Sequence, residues 1–249
     1  MKLEDKVVLI TGAAKRIGRE IALTLARSGA HILIHYHTSR RDALDLKKEI
    51  ENLNAEASLF PFDFSFRTKP LAPAIKKFVS QIYRKVSQVD ILVNNASIFY
   101  PTLLGKIKEK DWDDFLTVNL KAPFFLSQEI GQRMFRRKSG KIINLVDWTV
   151  NRPHPDYLPY TISKAGLSAA TAGLARAFAP YVQVNSIAPG PILPSRGLSK
   201  KDRSAVAQRT LLKRFGHPRD IAETVRFLAE GTDFITGALI PVDGGSHIA

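Results

Sequence analysis

The chain has 249 residues, 45% of them hydrophobic, so it is long enough for one well-buried domain and too apolar for a disordered protein. It contains no cysteine, which excludes disulfides, thiolate metal sites and a cysteine nucleophile. Lys and Arg outnumber Asp and Glu by 37 to 23, and the resulting net charge of +14 favours anionic partners such as nucleotides, acidic metabolites or nucleic acid.

The basic residues are scattered in short clusters, of which Arg136-Arg137-Lys138 is one, and aromatic residues do not alternate with them. This pattern indicates a basic protein surface rather than a nucleic-acid site. The N-terminal residues lead directly into a strand-like segment without the apolar stretch of a signal peptide, and no apolar run approaches the length of a membrane span. We therefore expect a soluble cytoplasmic protein.

Short apolar runs alternate with helical patterns from one end of the chain to the other. Strands are predicted at residues 7–10, 32–36, 57–61, 91–93, 141–146, 182–187 and 239–242. Helices are predicted at residues 17–28, 40–53, 74–86, 112–136, 159–178 and about 219–230. Such alternation predicts an α/β fold: one Rossmann-type, doubly wound domain over residues 1–249, with a seven-stranded parallel sheet and helices on both faces.

One stretch, residues 189–203, is irregular and rich in Pro, Gly and Ser. It follows the carboxyl end of a predicted strand, which is the edge where open α/β sheets bind their ligands. Long loops in compact domains often cover a substrate. We therefore predict a substrate-covering loop and helix at residues 189–215.

A glycine-containing turn, TGAAKRIG at residues 11–18, joins the first predicted strand to the first predicted helix. In such a turn, backbone N–H groups and the helix dipole can contact a pyrophosphate. Its position at the first strand–helix junction of an alternating chain predicts a dinucleotide site.

The end of the second predicted strand bears on the choice of cofactor. Units that bind NAD usually place an acidic residue about twenty residues beyond the glycines, on the ribose 2′-hydroxyl. Here the segment HYHTSRR at residues 35–41 has no acid before Asp42, and Arg16 lies in the glycine turn itself. Arginine binds phosphate through paired, charge-assisted hydrogen bonds. We predict NADPH, with Arg16, Ser39 and Arg40 as candidate contacts of the 2′-phosphate.

A candidate catalytic group combines Asp147 with Tyr160 and Lys164, which form Y-x-x-x-K. Residues four apart share one face of a helix, and an ammonium beside a phenol favours the tyrosinate. Tyr160 is therefore a candidate proton donor. Asp147 follows the apolar run at residues 142–146, so it is expected at the carboxyl end of a strand.

With these residues assembled, the chain resembles the short-chain dehydrogenase/reductase family over essentially its whole length. The matching pieces are TGAAKRIG, Asp63, NNAS at residues 94–97, Asn119, Y-x-x-x-K, the Pro189-Gly190 turn and VDGG at residues 242–245. Within the family it is most similar to the pteridine reductases, which share Arg16 in place of a usual glycine and Asp147 in place of the usual catalytic serine. They also share HYH at residues 35–37, SxFYP at residues 97–101 and Tyr157.

The resemblance implies a role in cofactor binding for many of these positions. The pyrophosphate side of NADPH would contact Gly12, Arg16, Ile17 and Gly18, and the 2′-phosphate would contact His37, Ser39 and Arg40. The adenine, its ribose and the nicotinamide ribose would contact Asp63, Asn95 and Lys164, and Pro189 and Gly190 would complete the site. Lys164 would also lower the pKa of Tyr160. Many relatives have arginine at the position of Thr38, and Arg40 would compensate for it. No metal site is expected, because the pair His35 and His37 fits a structural or nucleotide-facing role better.

The resemblance also implies a substrate site. Phe99 would stack on a pterin and hold it against the nicotinamide, Arg16, Ser97 and Tyr157 would line the site, and Asn119 would hold a water of a proton relay. Asp147 and Tyr160 would supply protons, since two proton-active groups suit a ring reduced at C=N bonds.

The main reading is thus an NADPH-dependent reductase of dihydropterin or biopterin, with dihydrofolate as a further candidate. An alternative is an NADPH-dependent carbonyl or 3-oxoacyl-carrier-protein reductase that uses Asp147 in place of serine. A third hypothesis is a non-catalytic NADPH-binding regulator or a nucleic-acid-associated protein, against which the intact Tyr160/Lys164 pair argues. Relatives imply a homotetramer formed through the helices at residues 121–136 and 157–178.

Overall fold

The computed structural model describes residues 1–65, 70–194 and 199–249. Its centre is one sheet of seven parallel strands in the order β3-β2-β1-β4-β5-β6-β7. The strands are β1 (Val7–Ile10), β2 (His31–Tyr36), β3 (Ala57–Pro61), β4 (Ile91–Asn94), β5 (Gly140–Leu145), β6 (Val182–Pro189) and β7 (Leu239–Val242). The predicted α/β fold with a seven-stranded parallel sheet is confirmed.

The helices that cover the sheet also follow the predicted alternation. They are α1 (Arg16–Ala26), α2 (Arg40–Glu51), α3 (Leu71–Ile82), α4 (Glu109–Leu116), α5 (Ala122–Arg136), α6 (Leu158–Phe178), α7 (Lys200–Arg209) and α8 (Pro218–Arg226). In the part of the chain that the structure describes, no helix is long and apolar enough to cross a membrane.

Two apolar cores lie on opposite faces of the sheet, because successive side chains of a strand point to opposite sides. On one face, Val8 and Ile10 pack in a cluster with residues of α1 and α8, among them Ile21. On the other face, Leu9 packs in a cluster with residues of α3 and α5, among them Phe78. Both faces are therefore buried, as a parallel sheet requires.

The order of the strands determines where a ligand can bind. Chain progression moves from β1 outward to β3 on one side, and then from β4 outward to β7 on the other. Strands β1 and β4 are neighbours in register from Val8 and Ile91 onward, so the order of connection reverses between them. A crevice opens beyond the carboxyl ends of strands at such a reversal.

The helix predicted at residues 112–136 proves to have two parts. A π turn at Thr117–Lys121 joins α4 to α5, and a second π turn at Phe227–Gly231 follows α8. Single π turns inside helices recur at functional sites. Asn119, one of the predicted site residues, lies in the first of them.

The prediction that residues 189–203 are irregular is wrong at both ends. Strand β6 extends to Pro189, and α7 begins at Lys200, where the Ser199 hydroxyl accepts a hydrogen bond from the Asp202 N–H at 3.1 Å. The sequence pattern missed α7 because none of its described residues is fully buried, so it has no apolar stripe. Residues 195–198, in the middle of the predicted covering segment, lie outside the described residues.

Candidate active site

A cavity of about 1360 Å³ lies beyond the carboxyl ends of the central strands. Its size exceeds that of ordinary small-ligand pockets, so a dinucleotide and a second molecule can occupy it together. Predicted site residues that line it are Gly12, Arg16, Ile17, Gly18, His37, Asp63, Asn95, Ser97, Phe99, Asp147, Tyr157, Tyr160, Lys164, Pro189 and Gly190. Ser39, Arg40 and Asn119 are not among the lining residues.

The turn between β1 and α1 leaves no room for side chains at its glycines. Gly12 has a φ of +63°, which favours glycine, and a Cβ on Gly18 would lie 2.3 Å from the Gly12 carbonyl oxygen. Asn95, expected to support a ribose, donates from Nδ2 to the carbonyl oxygens of Thr11 and Gly12 at 2.8 and 3.1 Å. Asn95 therefore fixes the shape of the turn.

His35 connects the same turn to the end of β3. Its Nδ1 accepts a hydrogen bond from the Gly12 N–H at 3.0 Å, and its Nε2 lies 3.1 Å from the Phe62 carbonyl oxygen. This pairing defines the neutral ring with the proton on Nε2. Burial lowers the pKa of His35 to about 4, so the ring stays neutral over the physiological range. His35 thus has a structural role, which is one of the two roles that the sequence suggested for it.

In the segment after β2 that is expected to bind a 2′-phosphate, no acidic residue precedes Asp42. Asp42, the first acid after β2, forms an ion pair with Lys15 at 2.9 Å. His37 Nε2 lies 3.5 Å from Asp63 Oδ2, and both residues line the cavity. Arg40 is the first residue of α2 and is exposed in this segment.

These residues fit a dinucleotide. The first turn of α1 holds no acidic residue, and Lys15 and Arg16 line the cavity at the helix N-terminus, where partial positive charge favours an anion. At the other end of the crevice, Gly190 lies so near the chain after β7 that a Cβ would be 2.5 Å from the Asp243 Cα atom.

The predicted catalytic group comes together at the end of β5. Tyr160 Oη donates to Asp147 Oδ2 at 2.8 Å. Lys164, one turn further along α6, donates from Nζ to the Leu145 carbonyl oxygen at 2.8 Å, and Nζ lies 5.9 Å from the centre of the Tyr160 ring. Lys164 and Tyr160 are buried in the structure.

Burial sets the electrostatics of this group. It raises the pKa of Asp147, an effect that hydrogen bonds from Thr149 and Tyr160 and the charge of Lys164 oppose. It lowers the pKa of Lys164 to about 8, against the pull of Asp147. The pKa of Tyr160 is raised by burial and then by the neighbouring Asp147 carboxylate. The pKa of Tyr160 is therefore raised, and not lowered as expected from Lys164, because burial and the Asp147 carboxylate dominate.

Asn119 lies behind the cavity and is completely buried. Its Oδ1 accepts from the Ile98 N–H at 3.0 Å and from the Ser97 hydroxyl at 3.1 Å. Its Nδ2 donates to the Ile98 carbonyl oxygen at 3.1 Å and to the Ser163 hydroxyl at 3.3 Å. The side-chain amide thus joins the segment after β4 to α6, and its part in a proton relay stays a prediction.

An aromatic wall borders Tyr160. Phe99 stacks on Tyr157 with ring centres 4.8 Å apart and planes 2° from parallel, and it meets Tyr160 edge-on at 4.8 Å. A β-bridge between Thr102 and Tyr157 holds the two loops together. Phe99 is still 50% exposed, so one part of its ring remains available to a ligand.

Sequence reasoning missed several residues of the cavity. Thr149 contacts Asp147 directly, and its only sequence signal is that Asp147 begins a short 3₁₀ turn at Trp148–Asn151, as Asp commonly does. Further lining residues come from loops, from the 3₁₀ turn and from α7, whose place depends on the tertiary fold. They are Trp148, Arg152, His154, Ile192, Leu193, Val206, Arg209, Leu211 and Phe215.

A family model described as enoyl-(acyl carrier protein) reductase matches residues 12–247 of the chain. The chain belongs to the short-chain dehydrogenase/reductase family. A solved structure described as a putative gluconate dehydrogenase from Agrobacterium tumefaciens superposes with a TM-score of 0.92 at 30% identity, covering 100% of this chain and 98% of the other. The resemblance seen in the sequence is therefore confirmed for the family and for the oxidoreductase class.

Curated relatives refine this assignment. The 3-oxoacyl-[acyl-carrier-protein] reductase FabG of Staphylococcus epidermidis is 35% identical over 98% of this chain and 100% of its own length. The enzyme of the same name from Thermotoga maritima is 34% identical, with 98% and 99% covered. A 3-oxoacyl-[acyl-carrier-protein] reductase from Synechocystis is 32% identical, with 98% and 97% covered.

The prediction of a pterin reductase is wrong. The three curated relatives described above match over nearly the whole chain and are named 3-oxoacyl-[acyl-carrier-protein] reductases, which agrees with the alternative reading instead. The pterin reading depended on a few local positions, and the structure gives one of them an internal explanation. Phe99, expected to stack on a pterin, stacks on Tyr157.

Proposed function

We propose that the protein is an NADPH-dependent reductase of carbonyl compounds, with 3-oxoacyl thioesters as its substrate class. The observation that carries this proposal is the buried Tyr160–Lys164 pair at the edge of a cavity large enough for a cofactor and a substrate, in a chain whose full-length relatives are named 3-oxoacyl-carrier reductases. When bound, NADPH would supply the hydride that converts the 3-oxo group to a 3-hydroxyl group.

The preference for NADPH over NADH rests on charge. Lys15 forms an ion pair with Asp42, the first acid after β2, Arg16 lines the cavity, and Arg40 is exposed at the start of α2. Arginine recognises phosphate through several charge-assisted hydrogen bonds, whereas a site for NAD usually offers a carboxylate to the ribose 2′-hydroxyl. His37, Ser39 and Asp63 complete this proposed 2′-phosphate site.

Tyr160 would donate the proton that the carbonyl oxygen takes up. Its raised pKa keeps the phenol protonated at neutral pH, so the proton is present when negative charge develops on the substrate oxygen. Lys164, held by the Leu145 carbonyl oxygen, places a positive charge near the same point. An ammonium there stabilises the developing oxyanion and the tyrosinate that is left behind.

Asp147 stands where the family usually has serine, and its charge decides what it can do. A serine hydroxyl donates a hydrogen bond to the substrate oxygen, but an ionised carboxylate only accepts and would repel an oxyanion. A protonated carboxyl donates as serine does. Burial raises the pKa of Asp147, which favours the neutral carboxyl that this role requires, and hydrogen bonds from Thr149 and Tyr160 oppose it.

The charge of the whole chain is compatible with a carrier-bound substrate. The net charge is +14, and acidic partners are attracted to such a surface over long range. Arg209, Lys213 and Arg152 all line the open cavity. Assembly as a homotetramer through α5 and α6 stays a prediction, for which Phe135 and Ile162 offer exposed apolar side chains.

The test is NADPH oxidation with acetoacetyl-CoA and acetoacetyl-acyl-carrier protein, with dihydrobiopterin as the comparison and NADH as the second cofactor. We expect turnover of the thioesters, faster with NADPH, and none in a Tyr160→Phe variant that still binds NADPH. Turnover of neither thioester would overturn the proposal. If NADPH binds without turnover of any carbonyl compound, and duplex DNA binds in a salt-sensitive manner, the non-catalytic hypothesis replaces it.

A further inference from the structure

The Asp147 carboxyl group is held asymmetrically. Its Oδ1 accepts two hydrogen bonds, from the Thr149 N–H at 2.9 Å and from the Thr149 hydroxyl at 2.6 Å. Its Oδ2 lies 2.8 Å from Tyr160 Oη, and Asp147 lines the cavity. One residue outside the predicted catalytic set thus occupies one carboxyl oxygen and leaves the other to Tyr160.

We propose that Thr149 is a positioning residue that confines the proton of a neutral Asp147 to Oδ2. A carboxyl oxygen has two lone pairs, and both on Oδ1 are engaged by donors. A proton on Oδ1 would have to displace one of them, whereas Oδ2 accepts from Tyr160 Oη with one lone pair and can carry the proton on the other, toward a substrate oxygen. This inference rests on the proposed function, because only a reaction at a carbonyl oxygen uses that donor.

The local backbone explains why Thr149 can do this. Asp147 is extended, with φ −156° and ψ 150°, and caps the 3₁₀ turn at Trp148–Asn151, so the N–H two residues later points at its side chain. The Thr149 hydroxyl has Thr161 Oγ1 of α6 as a second neighbour at 3.5 Å. The turn and α6 together therefore fix the orientation of the carboxyl plane.

Other charged and titratable groups also act on Asp147, and among them Tyr160 bonds to one oxygen, Oδ2. Tyr160 and Lys164 face it from α6, and Arg16 of the β1–α1 turn, with Arg152 and His154 of the loop after β5, lines the same cavity. Lys164 favours the carboxylate through its charge, and burial opposes that. Thr149 donates both of its hydrogen bonds to Oδ1, whereas Tyr160 bonds to Oδ2, so the two residues engage different oxygens of the carboxyl group.

The experiment compares Thr149→Val, which removes the hydroxyl at nearly constant volume, with Thr149→Ser, which keeps it. Thr224→Val is the matched control, because the Thr224 hydroxyl donates to the Asp220 carbonyl oxygen of its own helix, α8. Two quantities are measured in each variant: the pKa of Asp147 from carboxyl ¹³C NMR without substrate, assigned by comparison with Asp147→Ser, and the pH profile of kcat and KM for acetoacetyl-CoA. Thermal unfolding confirms that each variant folds.

We expect Thr149→Val to raise the pKa of Asp147 by about one to two units, since a hydrogen bond to a charged oxygen is lost. The alkaline limb of the kcat pH profile should move to higher pH with it. At neutral pH, kcat should fall about tenfold because the proton donor is misdirected, and KM should stay within twofold. Thr149→Ser should restore both quantities, and Thr224→Val should leave both unchanged.

An unchanged ¹³C titration in Thr149→Val would overturn the inference, and so would a loss that Thr149→Ser fails to restore. An outcome against the proposed function looks different: the titration shifts as expected, but the wild-type protein reduces no thioester. In that case the hydrogen-bonding role of Thr149 stands and the reaction assigned to the site falls.

Discussion

Gly18→Ala is the sharpest test of where the cofactor binds. A Cβ on residue 18 would lie 2.3 Å from the Gly12 carbonyl oxygen, 2.6 Å from Asn95 Nδ2 and 3.0 Å from the Ala13 Cα atom. Ordinary contacts of a Cβ begin near 3.4 Å, so the turn would have to move by about 1 Å. Both of the nearest atoms belong to the hydrogen bonds by which Asn95 holds the turn, so the movement cannot be absorbed by a flexible side-chain end.

Overpacking of this kind costs about 1–3 kcal/mol. If the cost falls on the arrangement that binds the pyrophosphate, NADPH should bind roughly 10- to 100-fold more weakly, because 1.4 kcal/mol corresponds to a factor of ten. The assay is a fluorescence titration of NADPH, with thermal unfolding measured in parallel. Gly173→Ala is the control: Gly173 is exposed on α6 with no neighbouring atom within 4 Å of the place that an alanine methyl group would take, and alanine there should leave NADPH binding unchanged. A Gly18→Ala protein that binds NADPH as tightly as the wild type would refute a cofactor site at this turn.

Three further predictions concern pH, stability and cofactor choice. Lys164, whose pKa is lowered to about 8, keeps its ammonium only below that pH, so kcat/KM should fall as pH rises through about 8. Asp147→Ser should move this limb to lower pH, because Asp147 raises the pKa of Lys164, and should remove any limb that belongs to the carboxyl group. Lys141→Met should lower the melting temperature, measured by calorimetry, by roughly 5–10 °C without changing KM. The buried Lys141 ammonium donates to the Leu228 and Thr232 carbonyl oxygens at 3.0 and 2.9 Å, and the substitution removes both hydrogen bonds. Arg40→Ala should weaken NADPH binding about tenfold and leave NADH binding unchanged, and equal weakening of both cofactors would contradict the 2′-phosphate role.

The fold could be predicted from the sequence because its signals are local. Each strand of a parallel sheet is a short apolar run, and three predicted strands, Val7–Ile10, Ala57–Pro61 and Leu239–Val242, agree with the structure residue for residue. Where the signal is weak, the prediction failed. Helix α7 has no buried stripe, and the π turn at Thr117–Lys121 shows no break in the apolar pattern of the helix that contains it.

The site could be predicted only as far as its residues belong to short motifs. Y-x-x-x-K and the glycine turn placed Tyr160, Lys164 and Gly12 in one cavity, since each lies near the carboxyl end of a strand. The direction of the Tyr160 pKa could not be predicted, because it depends on how deeply α6 is buried and on a 2.8 Å contact with Asp147 across thirteen residues. The substrate class was predicted wrongly for a related reason. A few positions around Phe99 suggested a pterin substrate, whereas the curated relatives that match along the chain are named 3-oxoacyl-[acyl-carrier-protein] reductases.

Arg16 has a cost that bears on how this protein would respond to selection. Its φ is +55°, in the left-handed region, where a non-glycine residue loses roughly 1–2 kcal/mol. The chain carries this strain at a residue that lines the cavity, where a guanidinium can attract an anion. A screen for heat resistance alone should therefore enrich glycine at this position. A screen that requires NADPH-dependent activity should select against that glycine.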